Sequence, residues 1–274
     1  MRGKITRGVL AVLAVAACGI AVASASAAEP TVYECGKAEK TKTKPPHYTG
    51  GYNDKLCSEV NIKHEGAYEF QEWNLTAKKG KAKVFKGKTG GANLEVQGQG
   101  GVACTSNGDV GQFTGPKTVG KIVVTFKGCE LNHHQCENPK KLGEKLTPGV
   151  IVTSPLRGEV GYVEGGKAKH EVGVQLTTEV GAYEAEFDCG ELELRVSGSV
   201  IGLVTSSENV FTKEATLLFQ ESEGRQLIKK LEGGPEVHLS AEVRGGKLGE
   251  FSPPKESGES DEVTNKGELL ELKA

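Results

Sequence analysis

The sequence predicts an all-β protein, an antiparallel sandwich or barrel carrying a small disulfide-stapled region at its N-terminal end. Three observations predict it. Short runs of alternating apolar and polar residues recur through most of the chain. Turn residues, among them 38 glycines, separate those runs, and no segment holds a long 3.6-residue period. Strands this frequent without intervening helices argue against βαβ units and for antiparallel pairing.

The first residues are set aside. Arg2, Lys4 and Arg7 precede an apolar run from Val9 to Ala23, and Ala23-Ser24-Ala25 and Ala25-Ser26-Ala27 offer small-residue cleavage sites. Residues 1–28 therefore read as a secretory signal peptide. Val15-Ala16-Ala17-Cys18 also resembles a lipoprotein cleavage box, which would anchor the chain through Cys18. The residues after Cys18 extend the apolar run, however, where a lipoprotein usually turns polar. No later run approaches the ~20 apolar residues of a membrane span, so the expected product is extracellular, with no membrane span.

Residues 29–92 are expected to form the small cysteine-stapled β region. Cys35 and Cys57 bracket a lysine-rich, proline-broken loop, and Tyr68, Phe70 and Trp73 follow in a strand. Lys78, Lys79, Lys81, Lys83, Lys86 and Lys88 then surround Val84 and Phe85. Such a run could touch an anionic cell-wall or extracellular polymer, but its charge pattern favours a solvated hairpin.

Residues 93–274 are expected to form the main antiparallel domain. Its clearest strand runs from Lys121 to Phe126, with Ile122, Val124 and Phe126 on one face, punctuated by Gly115, Pro116, Gly120 and Gly128. Val150–Val152, Gly158–Val163 and Glu171–Leu176 follow, the last two joined at Gly165-Gly166. Glu191–Ser197 alternates most cleanly, with Leu192, Leu194 and Val196 directed inward. Thr216–Gln220 and Val237–Val243 read as further strands, the latter ending at Gly245-Gly246. Gln226–Leu231 reads as one helical turn stopped at Gly233. Ser252–Thr264, with Pro253 and Pro254, reads as loop or edge.

Without Cys18, six cysteines remain, and an even number in an exported chain argues for disulfides, although six allow 15 connectivities. Cys104 and Cys189 both point coreward in their strands and would bridge distant strands. Cys129 and Cys136 flank a short loop and would close it, leaving Cys35 and Cys57 to staple the N-terminal segment.

GPKTVGKIVVTFKGCE, VTSPLRGEVGYV, FDCGELELRVSGSVIG and the closing VTNKGELLEL resemble a group of uncharacterised secreted proteins of actinobacterial genomes, as does C…GGYNDKLCSE followed by GAYEFQEWN. The resemblance covers nearly all of the chain after the signal. It implies export and a β-rich fold, and brings no activity, cofactor or site residue with it.

Charge excludes one class. Removing the three leader cations leaves 31 basic residues against 36 acidic ones, and aromatics are scarce, which argues against nucleic acid as a partner. The charge is uneven, because residues 143–274 hold 24 of the acids. His133 and His134 between Cys129 and Cys136 have the chemistry of zinc ligands, but oxidation outside the cytoplasm would consume both thiols. Gly98 to Ala103 fits G-x-G-x-x-A, yet a cysteine-bearing strand follows where a nucleotide site needs a helix. No G-x-S-x-G elbow or calcium loop is present, and no cofactor is implied. Asn74-Leu75-Thr76 matches a glycosylation sequon, while His170 and His238 fall on outward strand faces.

The sequence thus points to a non-catalytic extracellular structural or binding protein. The alternative is a glycoside-type extracellular hydrolase using paired Glu residues on a wall or environmental polymer. A deep pocket with two facing carboxylates would favour the hydrolase, and a shallow lysine-studded surface the binder.

Overall fold

The computed structural model of the chain describes residues 30–73, 82–98, 100–139, 147–166, 170–205, 212–246 and 249–273. The leader, Cys18, the sequon and Lys78, Lys79 and Lys81 lie outside the described residues. The fold is all-β, with antiparallel ladders and no helix among the described residues.

Strands β1 (Thr31–Lys37) and β2 (Tyr68–Glu72) pair with each other near the N-terminal end. Next come β3 (Val84–Thr89), β4 (Ala92–Val96), β5 (Gly100–Cys104), β6 (Ser106–Gly115) and β7 (Thr118–Lys127). The short β8 (Glu130–Leu131), β9 (His134–Glu137) and β10 (Val150–Val152) precede β11 (Leu156–Tyr162), β12 (Val172–Thr178) and β13 (Ala185–Cys189). The chain ends with β14 (Leu192–Val204), β15 (Thr212–Phe219), β16 (Leu239–Gly245) and β17 (Lys255–Lys273).

The ladders close into two rings that share β14 and β17. One runs β17–β3–β6–β7–β11–β12–β14–β15 and returns to β17. The other runs β17–β4–β5–β8–β9–β13–β14–β16 and returns to β17. Each shared strand gives one half of its length to each ring. In β14 the change falls at Gly198, whose φ of 113° is closed to other residues and on which a side chain would strike the His238 carbonyl. In β17 it falls at Asp261, which pairs with Ala92 of β4 and with Phe219 of β15. Each strand of either ring has a ladder partner on both sides.

Each ring has its own apolar filling. Phe85, Ile122, Leu156, Val172, Val200 and Phe219 pack in the first. Val102, Ile151, Phe187, Leu194 and Leu239 pack in the second with Cys129, Cys136 and Cys189. The β1–β2 unit rests on the first ring, where the Val32 N–H donates to the Pro116 carbonyl (2.7 Å) and Val32 packs with Trp73 and Phe113. Val84–Thr89, on the N-terminal side of residue 93, pairs with β6 and β17.

Three expectations are corrected. Ser252–Thr264 is neither loop nor edge. From Lys255 it opens the longest strand, which pairs with β1, β3, β4, β15 and β16. Gln226–Leu231 is no helical turn, because isolated bridges from Gln226 to Glu221, Lys230 to Glu236 and Leu231 to Val163 hold it extended, and Leu231 is buried against Val163 and Ile201.

The third concerns sulfur. Cys35–Cys57 forms as expected, but the other bridges are Cys104–Cys129 and Cys136–Cys189. The loop between Cys129 and Cys136 is already closed by the β8–β9 hairpin and by the Cys136 N–H on the Cys129 carbonyl. Both sulfurs are thus free to reach outward, Cys136 to its directly opposed register partner Cys189. The β5–β8 ladder has one residue pair and the β9–β13 ladder two. The two disulfides stand where the second ring is held by the fewest hydrogen bonds. Three disulfides are compatible with an extracellular setting.

Candidate functional site

The sequence pattern of β17 explains why the barrel has a polar interior. In KESGESDEVTNKG the odd-numbered residues Ser257, Glu259, Asp261, Val263 and Asn265 share one face, because side chains alternate along a strand. Ser257, Asp261, Val263 and Asn265 are buried. Only Val263 is apolar, so the inward face of this strand is made of groups that need hydrogen-bond partners.

The partners come from β6, two strands away. Asn107 Nδ2 donates to Asp261 Oδ2. With its amide turned so that nitrogen faces acceptors, Asn265 donates to both oxygens of Asp109, at 3.1 and 3.0 Å. Each strand thus contributes one acid and one amide. Strand β3 lies between them, and its Gly87 pairs with both Asp109 and Asn265. A methyl group there would run into the Asp109 carboxylate and Val263. Gly87 is the notch through which the two side chains meet.

These acids face a cavity of about 230 Å3 whose wall spans both rings. Most of that wall is apolar, with Phe85, Phe113, Phe126, Phe187 and Phe219 among its side chains. Asp109, Glu184, Glu259 and Asp261 also line it. Glu184 stands just before β13, with its backbone pinned by Ser154 and Val196 (2.7 Å each). Lys213 and Glu214 are exposed as well as lining, and they mark where the cavity meets solvent.

Burial is the main cause of every charge shift inside. It pushes Glu259 up to about 8, with help from Asp261. It pushes Asp109 up to about 6. Asp261 also rises to about 6, against the opposing hydrogen bonds from Asn107 and Thr89. Glu184 is raised well above the ordinary carboxylate range by burial and by Glu259. On the outer face of the same strand, a hydrogen bond from Lys229 holds Glu256 below its ordinary value. Position relative to the barrel wall therefore decides the sign. Among the described residues that line the cavity, two buried oxygens have no partner: Glu184 Oε1 and Asp261 Oδ1. Their residues are only 6% and 7% exposed.

The residues nominated from sequence lie elsewhere. Lys83 pairs with Glu34 (3.3 Å) and stands 5.0 Å over the Trp73 ring. His133 sits with Asn132 in the two-residue β8–β9 turn, both at positive φ, as a tight hairpin requires. His134 is exposed beside Gly190. The sulfurs of Cys129 and Cys136 that would have completed a zinc site are in disulfides. His170 is half-buried, with its ring 4.8 Å from that of Tyr162. His238 is exposed beside Glu236 and Glu256, at 3.6 and 3.4 Å. Gly98 to Ala103 leads into β5.

Asp109, Glu184, Glu259 and Asp261 carried no sequence motif. The available signal was an alternation of Ser, Glu, Asp and Asn in a stretch bounded by strand turns, where polarity conceals a buried face. No family model, curated protein or solved structure matches the chain.

Proposed function

We propose that this is an exported, non-catalytic binding protein whose barrel interior holds a small, mainly apolar molecule. One observation carries the reading: a cavity lined by aromatic and aliphatic side chains into which a few buried polar groups converge, the usual build of a small-molecule site. A cavity of ~150 Å3 holds benzene, so this one suits a ring or short chain with one substituent. The leader and the resemblance to exported actinobacterial proteins support the compartment.

The test uses 2-phenylethanol as a neutral probe, followed by titration calorimetry and by the melting temperature. Saturable binding at one site is expected, and it should vanish in Ala215→Phe, which fills the cavity from β15. Absence of any saturable binding to the wild-type protein overturns the reading.

A hydrolase is the second reading, because Glu184 and Glu259 face one cavity and Glu259 raises Glu184's cost of ionisation. Paired carboxylates are what glycoside hydrolysis uses. The cavity volume weighs against it, since a polymer chain does not fit within it. Release of nitrophenol from small aryl glycosides, lost in both Glu184→Gln and Glu259→Gln, would establish this reading in place of the first.

A further inference from the structure

Resting on the binding reading, we infer that the molecule taken up by the cavity is a small organic cation, an ammonium or guanidinium group on an apolar body, with its charged end held by Glu184, Glu259 and Asp261.

The first argument is the balance of charge along the wall. Besides Glu214 at the rim, four carboxyl groups line the cavity, from β6 (Asp109), from the segment before β13 (Glu184) and from β17 (Glu259 and Asp261). The lining residues of β1, β3, β4, β5, β7, β10, β11, β12, β13, β14 and β16 carry no charge. Lys213 is the one cation among the described lining residues, and it lies with Glu214 at the exposed rim. A buried carboxylate without a counter-charge is costly, and the interior supplies none.

The second argument is the pattern of partners. Asp109 is satisfied on both oxygens by Asn265, and Asp261 on one oxygen by Asn107. The unpartnered oxygens are Glu184 Oε1 and Asp261 Oδ1, both buried, in residues that line the cavity. Glu259 lies between them in the chain of interactions, because it is Glu259 that raises both Glu184 and, in turn, is raised by Asp261. An ammonium group has three N–H donors and no acceptor. It matches the two unpartnered oxygens, on Glu184 and Asp261, with Glu259 beside them, and the aromatic wall suits both an apolar body and a cation. A carboxylate ligand would find no cation inside the rim to pair with among the described residues.

Burial raises Glu259 to about 8 in the ligand-free cavity, so a cation that ionises it at pH 7 displaces its proton.

Three probes of one shape separate the possibilities: 2-phenylethylammonium, 2-phenylethanol and phenylacetate. At pH 7 the ammonium should bind at least about 10-fold more tightly than the alcohol, equivalent to ~1.4 kcal/mol, and phenylacetate should not bind. Calorimetry in buffers of different ionisation enthalpy should show net proton release with the ammonium and none with the alcohol. Glu184→Gln and Glu259→Gln should each remove most of the ammonium's advantage over the alcohol. Either variant also removes a costly buried acid, so both should fold. Equal affinity for ammonium and alcohol, or an advantage that survives in both variants, overturns the inference and leaves the binding reading standing. Failure of all three probes to bind overturns both.

Discussion

Strands β14 and β17 do the same job with opposite materials. Both are long, both pass from one ring to the other, and both turn alternate residues inward. The inward residues of β14 include Leu194, Val196 and Val200, each no more than 5% exposed. Those of β17 include Ser257, Glu259, Asp261 and Asn265. One strand supplies apolar burial, which stabilises a barrel directly. The other supplies groups whose burial costs stability unless each finds a partner. A fold that carries both in equivalent places has placed stability in β14 and the candidate site in β17, and natural proteins commonly give up stability at sites.

The largest expected effect concerns the arc between these strands. In the second ring, β4, β5, β8, β9 and β13 connect β17 to β14 by an arc that includes the one-pair β5–β8 and two-pair β9–β13 ladders, reinforced by Cys104–Cys129 and Cys136–Cys189. Replacing either pair by alanines should cost about 3–4 kcal/mol, given loops closed over sequence separations of 25 and 53 residues. Denaturant melts should register that loss. Hydrogen exchange should accelerate in β8 and β9 before it does in β11 and β12. Uniform acceleration through both rings would show that the arc is no weaker than the rest.

Next is the apolar strand itself. Leu194→Ala, at a residue 2% exposed, should cost about 3 kcal/mol by denaturant melting. The polar strand should answer in the opposite sense. Glu259→Gln removes a carboxyl that burial penalises, so that variant should melt higher than wild type at pH 8. If both substitutions destabilised alike, β17 would be a structural strand and its acids part of a satisfied core.

This contrast also explains what was legible beforehand. Leu192, Leu194 and Val196 alternate with Glu191, Glu193 and Arg195, and that period-two hydrophobicity betrays a half-buried strand without any structure. In β17 the same alternation exists, but both faces are polar, so Ser257 to Asn265 looks like solvated loop. Pro253 and Pro254 reinforce that impression, yet they fall just ahead of Lys255, where the strand begins. The fold class was readable because most strands behave like β14. The candidate site was not, because it is built on the strand that does not. The cysteine pairing failed for a related reason. Cys129 and Cys136 are near in sequence, but the hairpin between them turns both sulfurs toward other strands, and spacing alone does not reveal that.

A smaller effect tests the notch between β6 and β17. Gly87→Ala would place a methyl group where the Asp109 carboxylate now lies, forcing Asp109 away from Asn265. The expected loss is about 2 kcal/mol, the cost of stranding a buried acid and its amide partner. Asp109→Asn in the same background should recover part of it, since a neutral amide tolerates the displacement better. A Gly87→Ala protein as stable as wild type would show that the Asp109–Asn265 contact adds nothing to the barrel.

The smallest effect is carried by pH, and its sign separates the two strands without any substitution. Glu259 binds its proton more tightly in the folded chain, at about 8, than in the unfolded chain, near its ordinary 4.5. The native state therefore holds more protons through that interval, and stability falls as pH rises. The contribution is fully present below about 4.5 and lost as pH passes about 8, with Asp109 and Asp261 adding to the fall up to about 6. Solvent screening and mutual coupling reduce the full shift to about 2 kcal/mol, or roughly 4–8 °C in melting temperature for a chain of this size. The ligand-free protein should thus melt higher at pH 5.5 than at pH 8.5, and Glu259→Gln should flatten the slope. Leu194→Ala should lower the whole curve and leave its slope unchanged, because the inward face of β14 has no proton to exchange. A wild-type melting temperature that rises between pH 5.5 and pH 8.5 would mean that the β17 carboxyls are ionised and compensated in the folded barrel, and the two strands would then differ in composition but not in what they cost.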